Sequence, residues 1–103
     1  MSNNKEKNNP CPIEITLNTI GKKWTVLIIR DLLKGTKRFG ELQSSLSRIS
    51  PRTLSLRLKD LERQKIIKKK IFKEIPLHVE YTLTSRGKNL HCIIDQMVKW
   101  GSC

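Results

Sequence analysis

The basic side chains of this chain cluster in one short region. Among its 103 residues, 21 are Lys or Arg and nine are Asp or Glu, which gives a net charge of +12. Residues 51–73 alone hold nine of the basic side chains and two acidic ones, a net charge of +7. Lys and Arg neutralise phosphates and release the counterions condensed on nucleic acid. We therefore expect a polyanionic partner, with nucleic acid ahead of an anionic membrane surface or an acidic protein.

Three thiols and two imidazoles are the other side chains that could do chemistry. Cys11, Cys92 and Cys103 are odd in number and show neither CxxC spacing nor the Cys/His spacing of a zinc site. His78 and His91 lie far apart, and the chain has no Ser/His/Asp order and no glycine-rich phosphate loop. We expect reduced thiols, no metal, no cofactor and no enzymatic activity.

The length and the apolar content predict one folded domain behind a short polar arm. Leu, Ile, Val and Phe make up 30 of the 103 residues, above the roughly 20% below which chains stay disordered. Residues 1–10 are mostly Asn, Ser, Lys and Glu, so we expect a disordered arm there and the domain over 11–103. Residues 26–29 form the longest apolar run, and no export signal precedes them. We expect a soluble, cytoplasmic protein with no membrane partner.

Apolar spacing predicts four helices in the first two thirds of the chain. They cover residues 12–20, about 23–33, 39–46 and 51–64. Pro12 fits the first position of its helix, and Gly35 is placed to end the second. Ser50 before Pro51 is typical of an N-cap followed by the first helical residue.

The fourth predicted helix has one apolar and one basic face. Leu54, Leu58 and Leu61 lie at i, i+4 and i+7 and predict a buried stripe. At 100° per residue, the opposite face presents Arg52, Leu56, Lys59 and Arg63. A short turn joins this helix to the third, which is typical of a helix-turn-helix.

A β-hairpin and a last helix complete the predicted fold. Residues 66–73 and 77–84 are rich in β-formers and are separated by a turn at Pro76, which predicts a hairpin wing. Thr84 or Ser85 can cap a last helix that is broadly apolar. We expect a twin helix from a second subunit to cover it, although the first helix alone could do so, and we assign Trp24 and Trp100 to packing. The fold class is α+β, mostly helical: a winged helix-turn-helix whose terminal helices form a dimer interface.

The basic cluster falls on the elements that such a fold presents to DNA. The fourth helix would enter the major groove and the hairpin would follow the flanking backbone. Arg52 could bind guanine through two bonds, and Thr53 or Leu56 could meet a thymine methyl group. Several of the candidate residues also have an alternative role. Ser50 is needed as a helix cap, Leu56 could contact the domain itself, and Arg57 could pair with an acidic side chain instead of a phosphate. The lysines of the predicted strand could simply protect a sheet edge from aggregation. The expected contacts are Ser50, Arg52, Thr53, Leu56, Arg57, Lys59, Lys68, Lys69, Lys70 and Lys73.

Four segments carry a resemblance to a known family; they are CPIEITLNTIGKKW, RFGELQSSLSRISPRTLSLRLKDLE, IPLHVEYTLTSRG and MVKWG. Their order, from about Cys11 to Gly101, resembles the HxlR family of bacterial winged-helix regulators, which are related to the MarR type. The resemblance implies a homodimer, built by the first and last helices, that binds operator DNA and regulates transcription. We expect a repressor.

Three positions depart from the family pattern. Lys22 stands where members commonly have the second glycine of Gly-Gly-Lys-Trp. Lys65 replaces a glycine after the fourth helix, so we expect that helix to end without a left-handed cap. His78 stands where members often carry arginine in the wing, and we include it among the expected DNA contacts.

The resemblance also implies a sensing thiol at Cys11, because members frequently have a cysteine before proline there that reacts with oxidants or electrophiles. The positive end of the first helix and the net charge would favour the thiolate; a half-buried thiol that packs as a small hydrophobe is the alternative. Cys103 lies on a free end, and we expect oxidation to join it to Cys11 of the other subunit. We expect Cys92 to be packed and inert.

Two other functions remain open from the sequence. A nucleoid-type protein would bind DNA through the same positive charge without sequence preference. A small thiol oxidoreductase would use Cys11, although the chain lacks a resolving CxxC.

Overall fold

The computed structural model describes residues 11–103, and the arm predicted over residues 1–10 lies outside the described residues. In this range the elements are α1 (Pro12–Ile20), α2 (Thr25–Leu33), β1 (Lys37–Arg38), α3 (Phe39–Ser45), α4 (Pro51–Arg63), β2 (Ile67–Phe72), β3 (His78–Leu83), α5 (Ser85–Lys88) and α6 (His91–Gly101). The order α3, turn, α4 and hairpin confirms the predicted winged helix-turn-helix.

The start of α2 differs from the prediction by two residues. The helix begins at Thr25 rather than near Lys23, because its N-cap residue Trp24 has a left-handed backbone with φ of 82°. Trp24 itself packs against the core, as predicted.

The hairpin forms the larger part of a three-stranded antiparallel sheet. Strands β2 and β3 pair from Ile67 opposite Leu83 to Phe72 opposite His78. The third strand, β1, was not predicted, because two residues are too short to show an alternating pattern. It adds to the outer side of β3, so the strand order is β1-β3-β2 and the lysine-rich β2 lies at an edge.

The core confirms the predicted buried stripe of α4. Leu54, Leu58 and Leu61 are at most 2% exposed. They pack with buried side chains of the other elements, which are Ile28, Ile29, Leu32, Leu42, Leu46, Ile49, Ile66, Ile67, Leu83 and Ile94. Burying a side chain of this size stabilises the fold by about 1.5–3 kcal/mol, so α4 is fixed along its whole length on one side.

The predicted last helix is broken into α5 and α6. Thr84 caps α5, since its Oγ1 accepts a hydrogen bond from the Gly87 N–H at 3.1 Å. The same Oγ1 donates to the Lys65 carbonyl at 2.7 Å. A side chain at Gly87 would collide with the Ile66 carbonyl, which shows how closely this single turn lies against the start of β2. The prediction of one continuous helix was wrong because these contacts tie its first turn to the sheet.

Most of the apolar face of α6 is exposed within this one chain. Only Ile94 of this helix is buried, and Trp100 is 82% exposed. The assignment of Trp100 to packing is therefore wrong for the single chain, because the last turns of α6 extend past the core. Helix α1 also exposes Ile13 and Leu17, at 69% and 54%. The predicted dimer interface on these helices remains a prediction.

Helix α4 ends in a left-handed residue although no glycine is present. Lys65 has φ of 63°. Its N–H donates to the Glu62 carbonyl at 3.0 Å, and the Ile66 N–H donates to the Leu61 carbonyl at 2.9 Å. These two bonds form a Schellman motif. The expectation that this helix ends without a left-handed cap was wrong, because burial of Ile66 and the following strand hold Lys65 in that conformation.

Replacing Lys65 with glycine should stabilise the protein. We expect Lys65→Gly to raise the free energy of unfolding by about 1 kcal/mol, because glycine adopts the left-handed conformation without the steric cost of a Cβ. Urea unfolding followed by circular dichroism measures this change. The control Lys68→Gly, in a strand, should instead lower the free energy by about 0.5–1 kcal/mol; a loss of stability in both variants would contradict the assignment.

Candidate nucleic-acid interface

The N-terminus of α4 is held by two hydroxyl groups that bond to each other. Ser50 is the N-cap, and its Oγ accepts a hydrogen bond from the Thr53 N–H at 3.1 Å. The Ser50 hydroxyl also donates to Thr53 Oγ1 at 2.9 Å. The predicted cap is confirmed. Ser50 therefore has a structural role first, and Thr53 keeps its own hydroxyl proton and methyl group for a ligand.

The charged side chains on the outward face of α4 are exposed to solvent. Arg52, Leu56 and Lys59 are exposed, with Leu56 at 51%, so Leu56 does not pack into the domain. Among residues 11–103, neither Arg52 nor Lys59 forms an ion pair or a side-chain hydrogen bond. Arg63, one turn beyond Lys59, pairs with Asp60. Arg52 and Lys59 thus carry the charge on this face that is free to bind an external anion.

Arg57 has a partner that the sequence did not suggest. Its Nε donates to the backbone carbonyl of Lys23 at 3.3 Å. This bond ties α4 to the segment between α1 and α2. It is neither the acidic partner nor the phosphate considered from the sequence, and a DNA contact by Arg57 remains a prediction.

The wing lysines divide between the two faces of the sheet, since side chains alternate along a strand. Lys68 and Lys70 share one face, and the Lys70 Nζ lies 5.0 Å from the centre of the Phe72 ring. Lys69 lies on the other face, with its Nζ 3.9 Å from Glu62 Oε1. Lys73 follows the strand and is exposed. All four reach solvent at an edge strand, a position that fits backbone contact with DNA and protection of the edge alike.

His78 is engaged inside the wing. Its ring stacks on Phe72 with centroids 4.6 Å apart and an angle of 10° between the planes. Its Nε2 lies 3.3 Å from Glu80 Oε2, and its Nδ1 lies 3.3 Å from the Pro76 carbonyl oxygen. Reaching DNA would require His78 to give up these contacts, and its role in binding remains a prediction.

A cleft between α3 and β3 lies beside these residues and was not anticipated from the sequence. Its volume is about 830 Å³, and Arg38, Phe39 and Tyr81 are among the residues that line it. Burial, together with the nearby Glu62 carboxylate, raises the pKa of the Tyr81 phenol above its ordinary value of 10.0. Tyr81 therefore stays a neutral hydrogen-bond donor at physiological pH.

Two exposed arginines that flank α3 were not among the DNA contacts predicted from the sequence. Arg48 lies in the turn between α3 and α4, two residues before the N-cap of α4, and Arg38 is the N-cap residue of α3. A basic residue inside the turn of a predicted helix-turn-helix is the signal that could have identified Arg48, because this turn accompanies the helix that enters the groove.

All three thiols are free and exposed. Cys11 is the N-cap residue of α1, and its N–H donates to Glu14 Oε1 at 3.3 Å. Cys103 Sγ donates to the Lys99 carbonyl at 3.3 Å. Cys92 Sγ lies 3.6 Å from His91 Nε2 at the surface. The prediction that Cys92 is packed was wrong, because it lies on the side of α6 away from the buried Ile94; the pairing of Cys11 with Cys103 remains a prediction.

In residues 11–103, no group of three or more His, Cys, Asp or Glu side chains could hold a metal ion. Over the same residues, no helix has the length and apolar content needed to cross a bilayer.

Comparison with known proteins identifies the family. The HxlR-like helix-turn-helix family matches residues 19–103. The chain belongs to this family. It is therefore a DNA-binding transcriptional regulator of the helix-turn-helix type rather than an enzyme.

Two curated relatives are similar over most of their length. An uncharacterized HTH-type transcriptional regulator of Synechocystis sp., sll1512, is 40% identical over 97 residues, which cover 94% of this chain and 72% of the relative. The HTH-type transcriptional regulator YodB of Bacillus subtilis is 38% identical over 94 residues, covering 90% of this chain and 84% of YodB.

Two solved structures share the fold closely. A MarR-family transcriptional regulator from Porphyromonas gingivalis W83 superposes with a TM-score of 0.88 at 37% identity, covering 91% of this chain and 92% of that one. The redox regulator HypR in its oxidized form superposes with a TM-score of 0.84 at 38% identity, covering 89% and 95%. The fold of this chain is thus shared with a regulator described as MarR family and with the redox regulator HypR.

Removing the cap of α4 should weaken the fold measurably. We expect Ser50→Ala to lower the free energy of unfolding by about 1 kcal/mol, because the Thr53 N–H loses its acceptor. Chemical denaturation monitored by tryptophan fluorescence measures the change. Ser55→Ala, an exposed position inside the same helix, serves as the control and should shift the free energy by less than about 0.5 kcal/mol. Equal losses in the two variants would argue against the cap.

Proposed function

We propose that the protein is a homodimeric, sequence-specific repressor whose two α4 helices bind successive major grooves of operator DNA. In this proposal the wing contacts the flanking backbone, and thiol oxidation or alkylation is the input. From here on, α4 is called the recognition helix.

The observation that carries the proposal is the free charge on the outward face of the recognition helix. Arg52 and Lys59 are exposed, while Leu54 and Leu58 on the opposite side are buried. A helix anchored along one side and basic on the other presents its base-reading side chains in a fixed direction. That constraint is what sequence readout in a major groove requires.

The dimer is supported by the apolar surface that the terminal helices expose. The large hydrophobic side chains that these helices expose are Ile13, Ile15, Leu17, Met97, Val98 and Trp100. A surface of this kind marks an association site more often than a solvated face. Two copies joined there would present two recognition helices, which must be about 34 Å apart to meet successive grooves.

A thiol input is supported by the exposure of Cys11 and Cys103, one at the start of α1 and the other after the end of α6. Both flank the surface on which we place the dimer. The similar structure of HypR is that of a redox regulator in its oxidized form. A bond between Cys11 of one subunit and Cys103 of the other would change the arrangement of the terminal helices.

Footprinting on the DNA that flanks the gene, with random DNA as competitor at fixed salt, tests sequence-specific binding. A protected segment that survives competition supports the proposal. Equal affinity for both DNAs would favour the nucleoid-type alternative, since that mode depends on charge alone.

Replacing Arg52 should change which DNA sequences are preferred, whereas replacing Lys68 should change the affinity for all sequences. Arg52→Gln should reduce discrimination at one base pair by about 1–3 kcal/mol, because a contact to a base edge is lost. Lys68→Gln should weaken binding to every sequence and lower the slope of log affinity against log salt by about one, as expected for one phosphate contact. Fluorescence anisotropy with the footprinted duplex and its single-base variants measures both effects. Identical losses across sequences in both variants would contradict groove readout by Arg52.

Mild oxidation should produce a covalent dimer that depends on Cys11. Diamide would take one hydrogen atom from each of two thiols, forming the S–S bond and becoming the hydrazine. We expect a dimer band on a non-reducing gel for the wild type and for Cys92→Ser, and no such band for Cys11→Ser or Cys103→Ser. A dimer that persists without Cys11 would reject this pairing.

A further inference from the structure

The attachment of α1 to the recognition helix is polar where an apolar anchor would be usual. Thr19 is the one buried residue of α1, at 7% exposure. Its hydroxyl donates to Gln64 Oε1, at the C-cap of the recognition helix, over 2.8 Å. The amide of Gln64 is held at its other end as well, because its Nε2 donates to Asp60 Oδ2 at 2.9 Å. The side chain of Gln64 is thus fixed to both helices.

A cleft lies between α1 and the recognition helix beside Gln64. Its volume is about 570 Å³, and it is lined by residues of α1 such as Leu17 and of the recognition helix such as Asp60 and Gln64. Ile20 at the end of α1 packs against the core. Within residues 11–103, the Thr19–Gln64 bond is the side-chain hydrogen bond that joins α1 directly to the recognition helix.

A second tie lies two turns away along the recognition helix. The Arg57 Nε bond to the Lys23 carbonyl comes from the segment that follows α1. Arg57 and Gln64 are seven residues apart, which places the two ties on one side of the helix and about 10 Å apart along its axis. The buried leucine stripe fixes which side of the helix faces the core, and two polar ties at separate points along the axis add directional restraint to the angle of the helix.

We propose that Thr19 and Gln64 are positioning residues that, together with Arg57, hold the recognition helix at the angle required by one half-site spacing. Displacement of α1 then reaches the recognition helix through the Thr19–Gln64 bond and changes the spacing that the protein prefers. This inference rests on the proposed function, because helix direction matters only to a dimer that reads two half-sites.

The test uses the full chain and a duplex selected by the wild type from a random pool. Affinity is measured for this duplex and for versions with one base pair added or removed between the half-sites. Thr19→Val removes the hydroxyl at nearly constant volume. We expect it to reduce the preference for the selected spacing by about fivefold, equivalent to one ordinary hydrogen bond.

Two variants separate the tie from a general effect on α1. Thr19→Ser keeps the hydroxyl and should retain the wild-type preference. Thr16→Val should also retain it, because the Thr16 hydroxyl donates to the Pro12 carbonyl of its own helix and makes no bond to the recognition helix. Thermal unfolding is measured for each variant, to check that it is folded at the temperature of the binding assay.

Gln64→Met removes the same hydrogen bond from the acceptor side. The double variant Thr19→Val/Gln64→Met should therefore lose little more of the spacing preference than either single variant. The inference is overturned if Thr19→Val and Gln64→Met both keep the wild-type preference, or if they weaken binding to all spacings equally. A wild type that selects no sequence would instead overturn the proposed function itself.

Discussion

Burial of one leucine stripe on the recognition helix is the constraint on which the rest of the structure depends. Leu54, Leu58 and Leu61 are almost completely removed from water and pack into the core of the domain. Because a helix turns by 100° per residue, burial of this stripe forces Arg52 and Lys59 to the solvent side. The same apolar contacts that stabilise the fold therefore create the basic surface.

Polar contacts then determine how precisely this helix is placed. The Ser50 hydroxyl accepts a hydrogen bond from the Thr53 N–H in the first turn of the helix, and the Schellman motif at Lys65 turns the chain into the wing. The bonds from Thr19 and Arg57 tie the helix to α1 and to the segment after it. Apolar burial sets which side faces the core, whereas these directional bonds set the angle of the helix within the limits that packing allows.

The terminal helices connect this surface to the expected input. Cys11 begins α1, and Cys103 follows α6, beside the apolar side chains that one chain leaves exposed. In α1, Thr19 is buried and Ile20 packs partly buried against the core. In the proposed dimer, α1 would contact both the other subunit and the recognition helix, so a change at the dimer interface would reach the recognition helix through the Thr19–Gln64 bond.

Local patterns in the sequence determined most of the elements, the buried stripe, the cap at Ser50 and the outward exposure of Arg52, Leu56 and Lys59, because helical periodicity and capping depend on neighbouring residues. The HxlR resemblance further indicated the family. Tertiary structure decided the features that depend on distant residues. Strand β1 forms only where it pairs with β3, and α5 separates from α6 because Thr84 bonds to the Lys65 carbonyl. Lys65 takes a left-handed backbone because the next residue, Ile66, is buried in the core. Tertiary structure also decided that Arg57 reaches the Lys23 carbonyl, that Cys92 is exposed and that Thr19 meets Gln64 across 45 residues. No local pattern contains these contacts, because each partner is brought into reach only when the core closes.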